Sequence, residues 1–374
     1  MTMSEGLTGK LAWSESDPDE AMLATATAEL AAEDSHAADR EEWPAALWAP
    51  LERIGAPRWT IPAKHGGASC PRPLLVQRYA QLAGGSLTAM FILSQHDAAI
   101  RRFLAAEGCP VAEQWLCAIA RGDALATVGI SHLTTSRRLG AQAIRVTPAG
   151  PGSGRYRLDG TMPWVTGATR ADVVVTGGVL DDGQQLLVAL ATDRPGVTVC
   201  PPFPLAALQA SCTSEIRLEG VEIKTADVLA GPSDQVLAHP GAVGTGGLET
   251  SVLAAGQARA ALTALIELAP GRGELAEPLE ALCDDWQSVW AQILAQARGE
   301  AEAMEPARIR GRANGLVTRA TQAYLTARKG TGFLRTEPAQ RWARQALFFL
   351  VWSCPAPIAQ AAIRDLAGLC PSPI

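Results

Sequence analysis

Tyr156 to Asp172 reads Y-R-L-D-G-T-M-P-W-V-T-G-A-T-R-A-D. Side chains alternate along an extended chain, so Trp164 and Thr166 share one face and set an indole beside a hydroxyl at a strand end. Such a pair suits a planar aromatic ligand with polar edges, and it suits ordinary sheet core as well.

Working outward, short apolar or alternating runs broken by Gly, Pro and Asp surround this stretch: Ala126–Ser131, Val173–Thr176, Leu186–Ala191, Val197–Cys200 and Ile216–Ile223. Asp181-Asp182-Gly183 between two of them is a turn, and Gly150 to Gly154 reads as a hairpin loop. Residues 123–232 are therefore expected to form an antiparallel β unit. Residues 1–122 carry helical spacing, as in Leu74, Leu75, Tyr79 and Leu82. In residues 233–374 the helical period returns: Leu248, Val252, Ala255, Leu262 and Ile266, then Leu279, Leu282, Trp286, Val289 and Ile293. Further helices are expected from about Leu316 to Arg328 and from about Ala339 to Trp352, which makes a helical bundle. The predicted class is α+β.

The 374 residues, 48% hydrophobic and 19% charged, exceed what one core holds, so two or three packed units are expected. Lys plus Arg number 32 and Asp plus Glu 38, so 32 − 38 = −6, and no basic tract exists for nucleic acid. Glu5, Glu15, Asp17, Asp19 and Glu20 interrupt the first twenty residues, so no signal or transit peptide is read there. The purest apolar run, Ala346–Trp352, is too short to span a membrane, and a cytoplasmic protein with no membrane partner is expected. Eight cysteines without a C-x-x-C pair read as reduced thiols, and five scattered histidines offer no metal-ligand spacing.

Single motifs decide little alone. Gly244-Thr245-Gly246-Gly247 follows no expected strand and reads as a lead-in to the next helix. Ser131 and His132 are adjacent, so in a strand they point apart and cannot easily share a proton. Glu249 opens a strongly apolar helix, where a carboxylate complements the N-terminal dipole.

Taken together, these segments resemble the acyl-CoA dehydrogenase family. Tyr156–Asp172 is similar to the family's "y-x-l-n-G-x-K-x-W-I-T-N-g-x-x-A-d" segment. Ala126–His132 stands where the family's strand leads into T-E-P-G-x-G-S-D, and Ala210–Ser214 with Leu218–Ile223 and Val228-Leu229 is similar to "r-x-S-d-T … F-e-d-V-x-V-P … n-v-L". Gly330-Thr331-Gly332-Phe333, Pro338 and Arg344 resemble "G-G-x-G-y … P-v-e-r-x-x-R-D-a".

The resemblance implies a helical N-terminal domain, a central antiparallel β-barrel and a C-terminal four-helix bundle. It implies FAD as cofactor, with Ser131 and Thr166 at the reactive flavin edge, Trp164 as its wall, and Gly330 and Gly332 approaching a neighbouring subunit's pyrophosphate. An acyl thioester of coenzyme A or carrier protein would be the substrate, an electron-transfer flavoprotein a possible partner, and a homodimer or homotetramer the assembly. Trp286, Trp290, Trp342 and Trp352 are expected at that subunit interface or in the bundle core.

Three departures mark this chain. His132-Leu133-Thr134-Thr135-Ser136 replaces E-P-G-x-G-S-D, the Arg-x-x-Phe-Gly segment is missing with only Arg272 nearby, and Ser353-Cys354-Pro355 stands at the usual catalytic Glu. A minority of the family places the base in a Leu-Glu-Arg helix, and Leu248-Glu249-Thr250 matches, making Glu249 the expected base. The alternatives are a flavin-dependent monooxygenase or oxidase on the same fold, and a non-catalytic partner subunit.

Overall fold

The computed structural model describes residues 3–37, 39–134, 140, 142–150, 152–238, 247–352 and 356–369. Helices α1 (Met3–Lys10), α2 (Glu20–Ala37), α3 (Ala45–Arg53), α4 (Arg72–Gly85), α5 (Leu87–Ala105) and α6 (Pro110–Arg121) come first. Ser86 caps α5 by accepting from the Ala89 amide at 3.1 Å, while Gly122 in the left-handed region ends α6. Strands β1 (Ala126–Gly129), β2 (Arg145–Pro148), β3 (Arg155–Val165), β4 (Val173–Val179), β5 (Gln185–Ala191), β6 (Val197–Val199), β7 (Ser214–Lys224) and β8 (Val228–Ser233) follow. The chain then returns to helices α7 (Leu248–Glu267), α8 (Ala276–Arg298), α9 (Pro306–Arg328), α10 (Pro338–Phe348) and α11 (Ala356–Leu366).

The strands form one sheet in the order β6-β7-β3-β2-β4-β5-β8, with β1 also on β4. The order of helices, sheet and helices is the one expected, and the sheet is mixed where an antiparallel one was expected. β1 pairs β4 in parallel, Ala126 opposite Val173, so the sheet is mixed, and among the described residues no ladder joins β6 to β8 to close it. The parallel pair arises because β1 enters directly from α6, while β4 is reached only after the β2–β3 hairpin has turned back. The Asp181-Asp182-Gly183 turn forms as expected, with Gly183 at φ +87° and its amide donating to Leu180 O at 2.9 Å.

One core runs continuously from the N-terminal helices into the C-terminal bundle. Leu30, Leu82 and Leu93 belong to the same buried cluster as Val252, Trp286 and Leu316. Gly256 of α7 lies so close to α4 that an added Cβ would come within 2.0 Å of Ala80 O. Of the four tryptophans expected at an interface or in the bundle core, Trp286 and Trp290 are buried in this core, and Trp342 and Trp352 pack against it partly buried. Trp286 stacks on Trp290 with centroids 5.8 Å apart, donates from Nε1 to Ala255 O at 2.9 Å, and both meet Trp13 edge-on. Trp342 packs on Tyr324, and Trp352 on Phe91 and Phe348. The exposed large apolar groups of the C-terminal region, among the described residues, are Phe333, Leu334, Leu347, Val351, Ile363, Leu366 and Leu369.

Candidate active site

Ser131 follows β1, and Trp164 and Thr166 stand at the C-terminal end of β3, which packs against β1. Gly129, at the end of β1, sits so tightly on β3 that a Cβ would meet Met162 Sδ at 2.7 Å and Val165 Cγ2 at 3.1 Å. Thr127 Oγ1 donates to Thr166 O at 2.8 Å, which fixes the strand end carrying Thr166 against β1. The Thr166 hydroxyl meets that of Thr213 at 3.2 Å, Thr213 in turn meets Ser211 Oγ at 2.8 Å, and the Gly167 amide donates to Ser211 O at 2.8 Å. Three buried hydroxyls thus form a chain in which Thr166 is held in place and keeps capacity for another partner. Trp164 leans on Phe203, centroids 4.7 Å apart, and the residue is 52% exposed.

Ser131 lies one residue past Ile130, in a short 3-10 turn, and its buried Oγ has no hydrogen-bond partner among the described residues. An unpaired buried hydroxyl costs about 1–3 kcal/mol, so the polar edge of a flavin would satisfy it. His132 turns the other way: its Nε2 donates to Gly177 O on β4 at 2.8 Å, and burial pulls its pKa down, so it is held neutral and makes no pair with Ser131. Thr135 and Ser136 of the altered loop lie outside the described residues, as do Gly244 to Gly246 and Ser353 to Pro355.

Glu249, in the first turn of α7, belongs to a second group of side chains. Arg72 Nη2 of α4 donates to its Oε1 at 2.9 Å and Arg101 Nη1 of α5 at 3.3 Å. Burial raises its pKa, the charges of Arg101 and Arg72 more than reverse that, and the carboxyl is held at about 2. Beside them Asp97 accepts from Tyr79 OH and, at 3.0 Å, from Thr60 Oγ1; burial outweighs these donors and pushes its pKa up to about 7. His96 pins α5 to β1, with Ala126 N donating to Nδ1 at 3.2 Å and Nε2 facing Pro57 O at 3.1 Å, and burial pulls it down to about 4. Among the described residues no hydrogen bond or ion pair joins Glu249 to Ser131, Trp164 or Thr166.

Of the two glycines, Gly332 is needed within its own chain, since a Cβ there would approach Arg328 Cβ to 2.6 Å; Gly330 has open space. Arg272 is occupied locally, donating to Glu274 at 3.0 Å and to Ala327 O at 3.0 Å. Arg72, Tyr79, Asp97 and Arg101 carried no local motif. The signal available in the sequence covered only Asp97 and Arg101, as charge inside the otherwise apolar α5, where Asp97 is fully buried and Arg101 half-buried.

The chain is 28% identical over 169 residues, 44% of both chains, to a probable acyl-CoA dehydrogenase, YngJ, of Bacillus subtilis (strain 168). It is 24% identical over 248 residues, 63% of both chains, to the benzylmalonyl-CoA dehydrogenase of Aromatoleum aromaticum (strain DSM 19018 / LMG 30748 / EbN1). The match thus spans less than two thirds of these curated relatives. The structure superposes on a glutaryl-CoA dehydrogenase from Mycobacterium smegmatis in complex with FADH2 with a TM-score of 0.78, covering 96% of each chain at 19% identity. The chain has the acyl-CoA dehydrogenase fold. No family model matches it. Within this acyl-CoA dehydrogenase fold, Trp164 and Thr166 end β3 of the central sheet and Glu249 opens the first bundle helix. No described helix is long and apolar enough to cross a membrane, and no described His, Cys, Asp and Glu cluster fits a metal ion.

Proposed function

We propose that this chain is an FAD-dependent oxidoreductase that desaturates an acyl thioester between Cα and Cβ, with Glu249 taking the α-proton. The observation that carries the flavin reading is the buried Ser131 hydroxyl that follows β1 and has no hydrogen-bond partner among the described residues, taken with the Thr166 hydroxyl just past the end of β3. When bound, FAD supplies the acceptor for the hydride leaving Cβ. Ser131 and Thr166 would donate to its polar edge, Thr213 and Ser211 would hold the Thr166 rotamer, and the exposed Trp164 ring would cover an aromatic face. Gly330, free of neighbours, would admit a neighbouring subunit's cofactor close to backbone. Coenzyme A or carrier-protein thioesters as substrate and an electron-transfer flavoprotein as acceptor follow from the likeness to the named relatives. Self-association through Leu347, Val351, Ile363 and Leu366 belongs to the same reading.

A carboxylate held at about 2 is a weak base, so Arg72 and Arg101 must release Glu249 before it accepts a proton. Arg72, with its side chain 39% exposed, is the one able to swing outward as substrate arrives. The pairing also favours a second reading, a flavin-dependent oxidase or monooxygenase on this fold, in which no α-proton is removed.

Anaerobic bleaching of the FAD-loaded protein by a panel of acyl thioesters separates these. The parent should bleach and Glu249→Gln should slow by about 10²-fold or more. A Gln variant that keeps FAD and bleaches at the parental rate would contradict the role of Glu249. A parent that keeps FAD and bleaches with no thioester would favour the second reading.

A further inference from the structure

A cavity of about 240 Å³ opens between the end of α5 and the β5–β8 edge of the sheet. Arg102 lines it and is 5% exposed. Its Nη1 donates to Ala98 O at 3.0 Å, one turn back on the same helix, and its buried Nε has no partner among the described residues. Burial and the like charge of Arg101 pull its pKa down to about 10, with no carboxylate acting against them. None of the residues outside the described set is Asp or Glu. The facing wall is apolar, from Leu187, Leu229, Val236 and Leu237, and Glu107 stands exposed at the rim.

A buried guanidinium without a counter-charge is costly, and its planar fork matches a carboxylate with two parallel hydrogen bonds. We propose that this cavity binds a small monocarboxylate with a short aliphatic tail, its carboxylate on Arg102 and its tail against Leu187, Leu229, Val236 and Leu237. Glu107 repels a second negative charge at the mouth, which selects a monoanion over a dianion. β5 and β8 lie at the opposite end of the strand order from β3 and β7, so the cavity shares no residue with the Ser131, Trp164 and Thr166 group and does not depend on the flavin reading.

The test is isothermal titration of hexanoate, hexan-1-ol and inorganic phosphate into the full chain supplemented with FAD, for the parent, Arg102→Met and Leu237→Trp. Hexanoate should bind the parent with one site per chain, and hexan-1-ol and phosphate about tenfold more weakly or worse. Arg102→Met removes an uncompensated charge, and Leu237→Trp fills the tail space while leaving Arg102 in place; each should weaken hexanoate by about tenfold or more. The tryptophan variant keeps the test decisive if the methionine variant fails to fold. No saturable binding of hexanoate to the parent, or equal binding in a folded variant, would overturn the proposal.

Discussion

Glu249 and Asp97 lie in one buried neighbourhood and respond to pH in opposite senses. Glu249 is lowered from 4.5 to about 2, so the stability it contributes is present above about pH 4.5 and is lost as pH falls towards 2. Asp97 is raised from 3.8 to about 7, so its contribution is fully present below about pH 3.8 and is lost as pH rises through 7. Asp97→Asn keeps an acceptor for Tyr79 and cannot ionise. Relative to the parent it should therefore gain stability from about pH 4 to about pH 7 and level off above that, read as the difference in urea midpoints. Parallel midpoint curves for parent and variant would show that Asp97 does not titrate in that window. Strand alternation puts Trp164 and Thr166 on one face, whereas in the structure Trp164 is exposed and Thr166 buried, with a register shift between Met162 and Val165 that local alternation does not reveal. The arginines on Glu249 were not legible in the sequence, because they lie 177 and 148 residues away and no local spacing links them.

Helix against helix, α4 packs closely on α7 at Gly256. A methyl group there would come within 2.0 Å of Ala80 O, a backbone atom that cannot rotate away. Gly256→Ala should destabilise by about 1–3 kcal/mol despite its gain in helix propensity, measured by chemical denaturation. A neutral or stabilising effect would mean that the two helices are less tightly packed than described. Element by element, strands with alternating or continuous apolar runs were readable: the expected Ile216–Ile223 lies inside β7, and Leu186–Ala191 nearly spans β5. β2 and β8 were not. β2 has four residues with only Val146 fully buried, and β8 carries Gly231 and Pro232 on the sheet edge, where a missing amide donor is tolerated. α9 begins at Pro306, ten residues before the expected start at Leu316, because its first turns carry Arg308, Arg310 and Arg312 among the apolar positions and blur the helical period.

Across the whole molecule, the order of helices, sheet and helices was visible in composition alone, while closure and strand direction were not, since pairing direction depends on where the connections run. The continuous core from the N-terminal helices to the bundle was equally hidden, because Leu82 of α4 and Val252 of α7 join one cluster from distant parts of the sequence. The C-terminal residues Leu347, Val351, Ile363 and Leu366 are each exposed and are the apolar side chains that the proposed self-association would cover. Light scattering of the parent should give twice the chain mass or more, and Val351→Asp should reduce it; a parent at the mass of one chain would contradict self-association. The account rests above all on a flavin satisfying Ser131 and Thr166. Its most direct test is the visible spectrum of the chain after incubation with excess FAD and removal of free ligand, for the parent and for Ser131→Ala with Thr166→Val. Retained flavin absorbance in the parent, with the double variant weakened by about tenfold or more, is the predicted result; a folded parent that retains no flavin, or a double variant that holds it as tightly, would contradict the account.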